Sequence, residues 1–499
     1  MSSRKRIVIA GASGFIGTAL ANRLGDQFEL VGLTRNPNRL ENTSGDRFEW
    51  VVCDLFSRKQ TRDALEGADY AIYLVHSMTP SAALTQGNYR DMDLICADNF
   101  ARACRAHDVE QVIYISGIIP ENEDFSGHLA SRLEVEKTLG AYGTPVTTLR
   151  AGLIVGPGGS STMMVIRLVE RLPWMLCPRW TQTVSQPIAL SDVVDLLEFV
   201  LGNPDTYDEH YDIGGPEKLT YQEILQITAD LLGRDPRMFD VPFLSPALSV
   251  LWITLFSGIS TALVRPLVES MSHDMITEDR RLQDAADQEP TPFREAMARA
   301  VDVYQTEENL PARTRKDATG AKLVEYEPTN KVRSVQRLPL PPGKDATWVA
   351  REYARWLPRA MRPFLRVEVD EQGSMKFFVS VLPWWPLLEL DYANVISQTD
   401  RQLYWIVGGL LARKQDYARL EFREVLGGRY VLAAIHDFEP RLPWWVYKAT
   451  QAIVHLIVMH AYRRYLGRLS DEPERLETEA DHPDALESQE TKQLTTEDA

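Results

Sequence analysis

The chain of 499 residues is poor in cysteine: Cys53, Cys96, Cys104 and Cys177 are its whole complement, and no two are closely spaced. That excludes a disulfide scaffold and a zinc site of paired thiolates. An N-terminus that passes from a few polar residues straight into a strand leaves no room for a signal peptide, so the expected setting is cytoplasmic. Positive charge is also short, with 54 Lys and Arg against 70 Asp and Glu, so no basic nucleic-acid footprint is expected. The deficit is concentrated at the end, because Asp471–Ala499 holds eleven acids against Arg475 and Lys492. Residues 471–499 therefore read as an acidic, disordered tail. Repeats and heptads are missing. One charge-free run, Val241–Val264, is long enough to cross a bilayer, but Pro242, Pro246, Gly258 and six hydroxyl side chains interrupt it. A buried or membrane-skimming helix pair that walls an apolar pocket is the better reading, and peripheral membrane contact is left open.

What is present is a globular composition, 44% hydrophobic and 25% charged, over a length that calls for two cores and connections. The apolar run Arg6–Ala10 leads through Gly11-Ala12-Ser13-Gly14-Phe15-Ile16-Gly17 into an amphipathic segment ending at Leu24, and a second strand spans 28–34. A strand, a glycine-rich turn and a helix in that order form a dinucleotide site. Gly11 allows the tight turn, Gly14 the approach of a pyrophosphate, and Gly17 the packing of helix on strand, while the helix N-terminus offers free N–H groups. After the second strand comes Thr34-Arg35-Asn36-Pro37-Asn38-Arg39, without the acid that an NAD site presents to the adenosine ribose. Arg35, helped by Arg39, suits the 2′-phosphate of NADPH instead, with NAD the lesser option; the alternative is that both arginines simply face solvent.

A third strand ends at Asp54-Leu55, where Asp54 is placed to accept from the adenine amino group, and the next strand closes at Val75 and His76. Strands and helices go on alternating to about residue 150, which predicts a doubly wound parallel sheet of Rossmann type, with its ligand crevice at the strands' C-terminal ends.

Residues 1–285 resemble an atypical or extended short-chain dehydrogenase/reductase of the NmrA-like, NAD(P)-binding kind. The resemblance rests on Gly11–Gly17, Asp54-Leu55, Tyr114-Ile115-Ser116-Gly117, Leu149–Gly158, Ile188–Val193 and Tyr211–Gly215. It implies a Tyr-x-x-x-Lys pair as the proton-transfer machinery, yet none of the 18 tyrosines has lysine four residues later. Where that pair should fall the chain has His128-Leu129-Ala130-Ser131-Arg132. His128 and Arg132 share a helical face. Arg132 suits the nicotinamide ribose but cannot transfer a proton, whereas His128 is expected to deliver one near neutral pH. A degraded site with an exposed His128 is the competing reading. Ser116 matches the family's catalytic serine position.

Residues 286–329 read as a charged, Pro- and Thr-rich linker with a short helical stretch at Phe293–Tyr304, and 330–470 as a second, α+β domain that resembles the helix-grip or START-like fold. The fusion resembles an uncharacterised bacterial oxidoreductase-like family through Ala418–Arg423 and His436–Trp445. Leu-Pro-Trp-Trp occurs at Leu382–Trp385 and again at Leu442–Trp445, where tryptophans either face lipid or ligand or close corners of the core. The implied activity is NADPH-dependent reduction of a hydrophobic carbonyl, enone or quinone. The alternative is a non-catalytic NADPH-binding sensor or assembly factor with a lipid-binding C-terminal domain. No metal-ligand spacing is present.

Overall fold

The computed structural model describes residues 4–41, 47–76, 82–120, 126–241, 246–257, 261, 264, 265, 268, 273–308, 329–381, 384–413 and 417–481. Contacts divide the chain into two units, Met1–Thr79 with Met92–Glu327 and Pro80–Asp91 with Pro328–Ala499.

In the first unit, seven strands form one parallel sheet in the order His210–Ile213, Val146–Ala151, Gln111–Gly117, Tyr70–Tyr73, Arg6–Ala10, Glu29–Thr34 and Glu49–Val52. The chain starts in the middle, runs to one edge, then returns past its start to the other. The reversal between Arg6–Ala10 and Tyr70–Tyr73 opens a crevice at the strand ends. Ile7, Val8, Ile9 and Ala10 are fully buried, as a continuous apolar run must be when both faces of a sheet are covered. The helix Phe15–Leu24 turns Gly17, Leu20, Ala21 and Leu24 inward, at helical spacing.

A second core gathers the helices Ser160–Arg171, Tyr221–Leu231, Pro246–Ser257 and Phe293–Glu308. Here the structure departs from a linker over 286–329. Phe293, Met297, Ala300, Val301 and Tyr304 are buried in this core, and the Tyr304 hydroxyl donates to Glu170 Oε2 at 2.6 Å. The charge of this stretch lies on the helix's outer face. Residues 309–328 lie outside the described residues. Within Val241–Val264, the helix Pro246–Ser257 is described, whereas 242–245, 258–260, 262 and 263 lie outside the described residues. Among the described residues no helix is long and apolar enough to cross a membrane.

The second unit is an eight-stranded sheet in the order Leu365–Val369, Met375–Val379, Pro386–Tyr392, Arg401–Gly408, Arg419–Val425, Tyr430–Phe438, Thr329–Pro339 and Ala82–Gln86. All neighbours are antiparallel except the last pair. Ala82–Gln86 comes from far upstream, so the boundary expected at 285 is interrupted by an excursion at 80–91. The helix Ala346–Ala360, begun by Asp345 accepting from the Trp348 N–H at 2.7 Å, lays Val349, Ala350, Tyr353 and Leu357 on one face of the sheet. A long helix, Gln451–Asp481, packs beside it, and its Tyr462 hydroxyl donates to the Val349 carbonyl at 2.7 Å. This helix continues past the expected start of the tail at 471, while 482–499 lie outside the described residues.

The sheet's other face carries charge. Along Arg419–Val425, Leu420 and Phe422 point to the helices, so Arg419, Glu421 and Arg423 point away. Glu421 Oε1 accepts from Arg401 Nε at 2.6 Å and Arg423 Nε at 2.7 Å, and Oε2 lies 3.1 Å from His436 Nε2. Glu421, Arg423 and His436 are completely buried. Burial alone would push the Glu421 carboxyl up, but Arg423 and Arg401 outweigh it and hold it well below the usual carboxylate range.

Candidate functional site

The glycine turn is built as the sequence requires. Gly11 has φ +90°, a left-handed conformation, and its Cα faces the Leu74 backbone so closely that a Cβ would lie 3.0 Å from the Leu74 carbonyl oxygen. The Gly14 N–H closes the turn on the Gly11 carbonyl at 2.9 Å. Gly14 then caps the helix Phe15–Leu24 with no side-chain acceptor and no acid in the first turn, so the helix's leading N–H groups and positive dipole end stay open to an anion. A Cβ on Gly17 would lie 2.6 Å from the Ala12 carbonyl oxygen. An uncapped helix start behind a turn without side chains is the kind of end at which an anion can approach the backbone.

The adjacent strands Glu29–Thr34 and Glu49–Val52 lead into Arg35 and Asp54, the residues expected on the adenosine side. The Cys53 N–H donates to the Thr34 carbonyl at 2.8 Å, which sets Arg35 and Asp54 beside each other. Arg35 is exposed, while Arg39, proposed to help it, lies over the Trp50 ring with its guanidinium carbon 4.9 Å from the centroid. Asp54 Oδ1 accepts from the Phe56 N–H at 3.2 Å, so one oxygen is engaged in its own turn; Leu55 is buried beneath. If Arg35 meets a 2′-phosphate, Arg35→Ala is expected to weaken NADPH by about tenfold or more, the worth of a charge-assisted hydrogen bond, and to leave NADH within about twofold. Fluorescence titration with both nucleotides reads this directly, and equal losses would remove the assignment.

A crevice of about 260 Å³ brings Phe15, Ile16, His76, Ser116, His128 and Arg132 together. It does not include Arg35, Asp54 or Leu55, which follow other strands, nor Val75, although Leu74 and His76 on either side of Val75 line it. Ser116 is at the end of Gln111–Gly117. His128 and Arg132 come from the helix Gly127–Leu139, started by Ser126 accepting from the Leu129 N–H at 3.3 Å. That helix is tied to the sheet by Arg150, which donates to both oxygens of Glu136 at 3.1 and 2.7 Å. Arg132 Nη1 donates to the Ile115 carbonyl at 3.2 Å, and its buried Nε has no hydrogen-bond partner among the described residues. A buried guanidinium N–H in that state is suited to a ribose hydroxyl or phosphate oxygen.

The structure corrects two points about His128. It is buried, not exposed. Burial, the Arg132 charge and the neighbouring His76 push its imidazolium form down to about 3, so at neutral pH the ring is uncharged and donates a hydrogen bond rather than acting as a ready acid. His76, its ring centroid 6.2 Å from that of His128, is likewise pushed down to about 4 by burial and by Arg132, although Asp93 Oδ2 stands 3.7 Å from its Nδ1.

Residues 11–155 match a family described as NAD(P)H-binding. The first unit contains an NAD(P)H-binding domain. Over 145 residues the chain is 34% identical to the auxiliary protein GraX of Staphylococcus aureus, covering 29% of this chain and 43% of GraX. Over 265 residues it is 24% identical to the uncharacterized UDP-glucose epimerase YtcB of Bacillus subtilis, covering 46% of this chain and 83% of YtcB. Over 187 residues it is 26% identical to the 2-alkyl-3-oxoalkanoate reductase of Stenotrophomonas maltophilia, covering 33% and 55%. The chain thus spans less than half the length of GraX.

The NAD(P)H-binding domain's crevice also includes residues that the sequence reading missed. Ser160 and Ser161 begin a second helix there, and Tyr221 and Met275 close the far wall. Thr220 and Glu223 form a capping box that marks the start of the Tyr221 helix in the sequence, but nothing local says that it faces the crevice. In the second unit, a separate cavity of about 510 Å³ lies between the helix Ala346–Ala360 and the sheet, with Arg351 and Arg355 on its helix side and Tyr392 and Tyr404 on its sheet side.

Proposed function

We propose that the protein is an NADPH-dependent reductase of a hydrophobic carbonyl, enone or quinone. The observation that carries this reading is the convergence of the pyrophosphate cradle, Ser116, His128 and Arg132 on one crevice whose remaining walls are mostly apolar. Gly11–Gly17 would hold the pyrophosphate, Arg35 the 2′-phosphate, Asp54 the adenine, and Arg132 the ribose, with Val75 and His76 beside the nicotinamide end. Bound there, the reduced nicotinamide supplies a hydride to the substrate carbon. The chain's own part is electrostatic. A neutral His128 and Ser116 would donate hydrogen bonds to the oxygen on which negative charge grows, and Arg132 adds positive potential. A neutral imidazole is too weak an acid to give up its N–H outright, so the proton would come from water entering the crevice. The relative named as a 2-alkyl-3-oxoalkanoate reductase supports a greasy carbonyl substrate.

The name of GraX, an auxiliary protein, together with the missing Tyr-x-x-x-Lys, favours a second reading as a non-catalytic NADPH-binding sensor. In both readings the second unit is a helix-grip-like module whose cavity holds an apolar ligand or lipid. One experiment separates them. The purified protein is incubated with NADPH deuterated at C4, each face in turn, and a lipid extract of its source cells. Protein-dependent deuteration of one compound is the expected result. Confirmed NADPH binding without transfer would replace the reductase by the sensor.

A further inference from the structure

An apolar surface lies outside the crevice, on the lobe that contains the helices Ser160–Arg171 and Pro246–Ser257. The parallel strands Trp174–Pro178 and Arg237–Val241 are in register Trp174↔Arg237 and Leu176↔Phe239, so these four residues share one face of the ribbon. Trp174 is 67% exposed, and Leu176 and Phe239 are each about half exposed, at 47% and 48%. Beside them, the helix Pro246–Ser257 buries Val250 and Ile253 and presents Leu248, Leu251 and Leu255, the last 70% exposed. The pieces are joined. Trp180 Nε1 donates to Ser249 Oγ at 3.2 Å, Arg171 Nη1 donates to the Phe256 carbonyl at 2.9 Å, and Leu176 and Trp252 line one small apolar cavity.

We infer that this face docks on a lipid bilayer bearing anionic headgroups. Six large apolar side chains on adjoining elements exceed the scattered exposure normal for a monomer's surface. The exposed charges on and beside these elements include Arg171, Arg179, Arg234 and Arg237, with Asp235 as an exposed acid just before the second strand. The acid on the same strand, Asp240, alternates to the ribbon's opposite face. Arginines at the rim of an apolar face match a bilayer with anionic headgroups, which attract basic side chains close to the surface. A protein interface also has an apolar core and a polar rim, so the choice of a bilayer rests on the arginines at the rim and on a helix, Pro246–Ser257, that carries no charge. With 12 residues the helix is about 18 Å long, against a hydrocarbon core of about 30 Å, so it lies in the interface and does not span. The last 29 residues carry −9 of the net charge of −16 and leave −7 on the rest, so attraction to anionic headgroups has to come from the local arginines.

Docking would also shorten the path of a lipid-soluble substrate. Tyr221 lines both the crevice and the small cavity behind Leu176 and Trp252, so one side chain borders both. That consequence rests on the reductase reading; the docking itself does not.

The test is flotation of the full-length protein with phosphatidylcholine vesicles, with and without phosphatidylglycerol. The wild type is expected to float with the anionic vesicles and to lose most of that binding in high salt. Leu251→Glu with Leu255→Glu is expected to cut the bound fraction by about tenfold or more, since each change replaces exposed apolar area with a charge that resists burial. NADPH binding should be unchanged, which shows that the variant is folded. A wild type that stays in the soluble fraction with both vesicles overturns the inference. So does a double variant that floats as well as wild type, or one that instead turns a dimer into a monomer by light scattering. Deuterium transfer to substrate in detergent, without vesicles, reads the catalytic proposal separately.

Discussion

Gly17→Ala is expected to abolish useful cofactor binding, raising the Kd for NADPH by about a hundredfold, equivalent to about 2.7 kcal/mol. The new Cβ would stand 2.6 Å from the Ala12 carbonyl oxygen and 2.7 Å from that of Gly11. Both are backbone atoms, so no side-chain rotation relieves the overlap. The helix must back away from the turn, and the cradle formed by Gly14 and the leading N–H groups opens with it. Overpacking of this kind costs about 1–3 kcal/mol in its own right. Gly140→Ala is the matched control, because its Cβ would meet only Val146 Cγ2 at an ordinary 3.5 Å. Fluorescence titration with NADPH, alongside thermal unfolding of both variants, checks the prediction. Binding within threefold of wild type would mean that the turn is not the phosphate cradle.

The second large effect lies in the second unit. Glu421→Ala is expected to destabilise that unit by about 3–5 kcal/mol, because it strands buried positive charge. Arg401 and Arg423 both donate to Glu421 Oε1, at 2.6 and 2.7 Å, and Arg423 is fully buried. Glu421→Gln keeps an acceptor in place and should lose less. Seven of the eleven tryptophans lie beyond residue 340, so urea unfolding followed by tryptophan emission reports mainly on this unit. A loss below about 1 kcal/mol for the alanine variant would show that the guanidiniums are held by other groups.

The first half of the fold was legible because its signals are local. Glycines at 11, 14 and 17, between a fully apolar run and an amphipathic one, can do little else, and the parallel sheet follows from the alternation of strands and helices. His128 and Arg132 stand out because they occupy the place where the resembled family has its Tyr-x-x-x-Lys pair, at the same four-residue spacing, and the crevice does bring them together with Ser116. The spacing could not show that His128 is buried beside a guanidinium and His76, which reverses its expected protonation. Other features were hidden for definite reasons. The strand Pro386–Tyr392 opens with a proline, normally a mark against a strand, and is tolerated at its first position. The helix beginning at Phe293 is legible from its apolar spacing, but its surroundings of charge, proline and threonine read as a connector and hide its burial in the second core. The register of Ala82–Gln86 with Thr329–Pro339 depends on a partner about 250 residues away, and no window of sequence contains both.

That last pairing sets an order of events during synthesis. At about 5–20 residues per second, Ala82 leaves the ribosome roughly 10–50 s before Thr329, its sheet neighbour. For that interval an apolar strand waits with its hydrogen-bonding edge unfilled, while the strands on either side of it in the chain, Tyr70–Tyr73 and Gln111–Gly117, can already join a growing parallel sheet. The nascent chain therefore has to hold a five-residue debt open across nearly half its length, and a ribosome stalled near residue 300 would display that edge to any chaperone within reach.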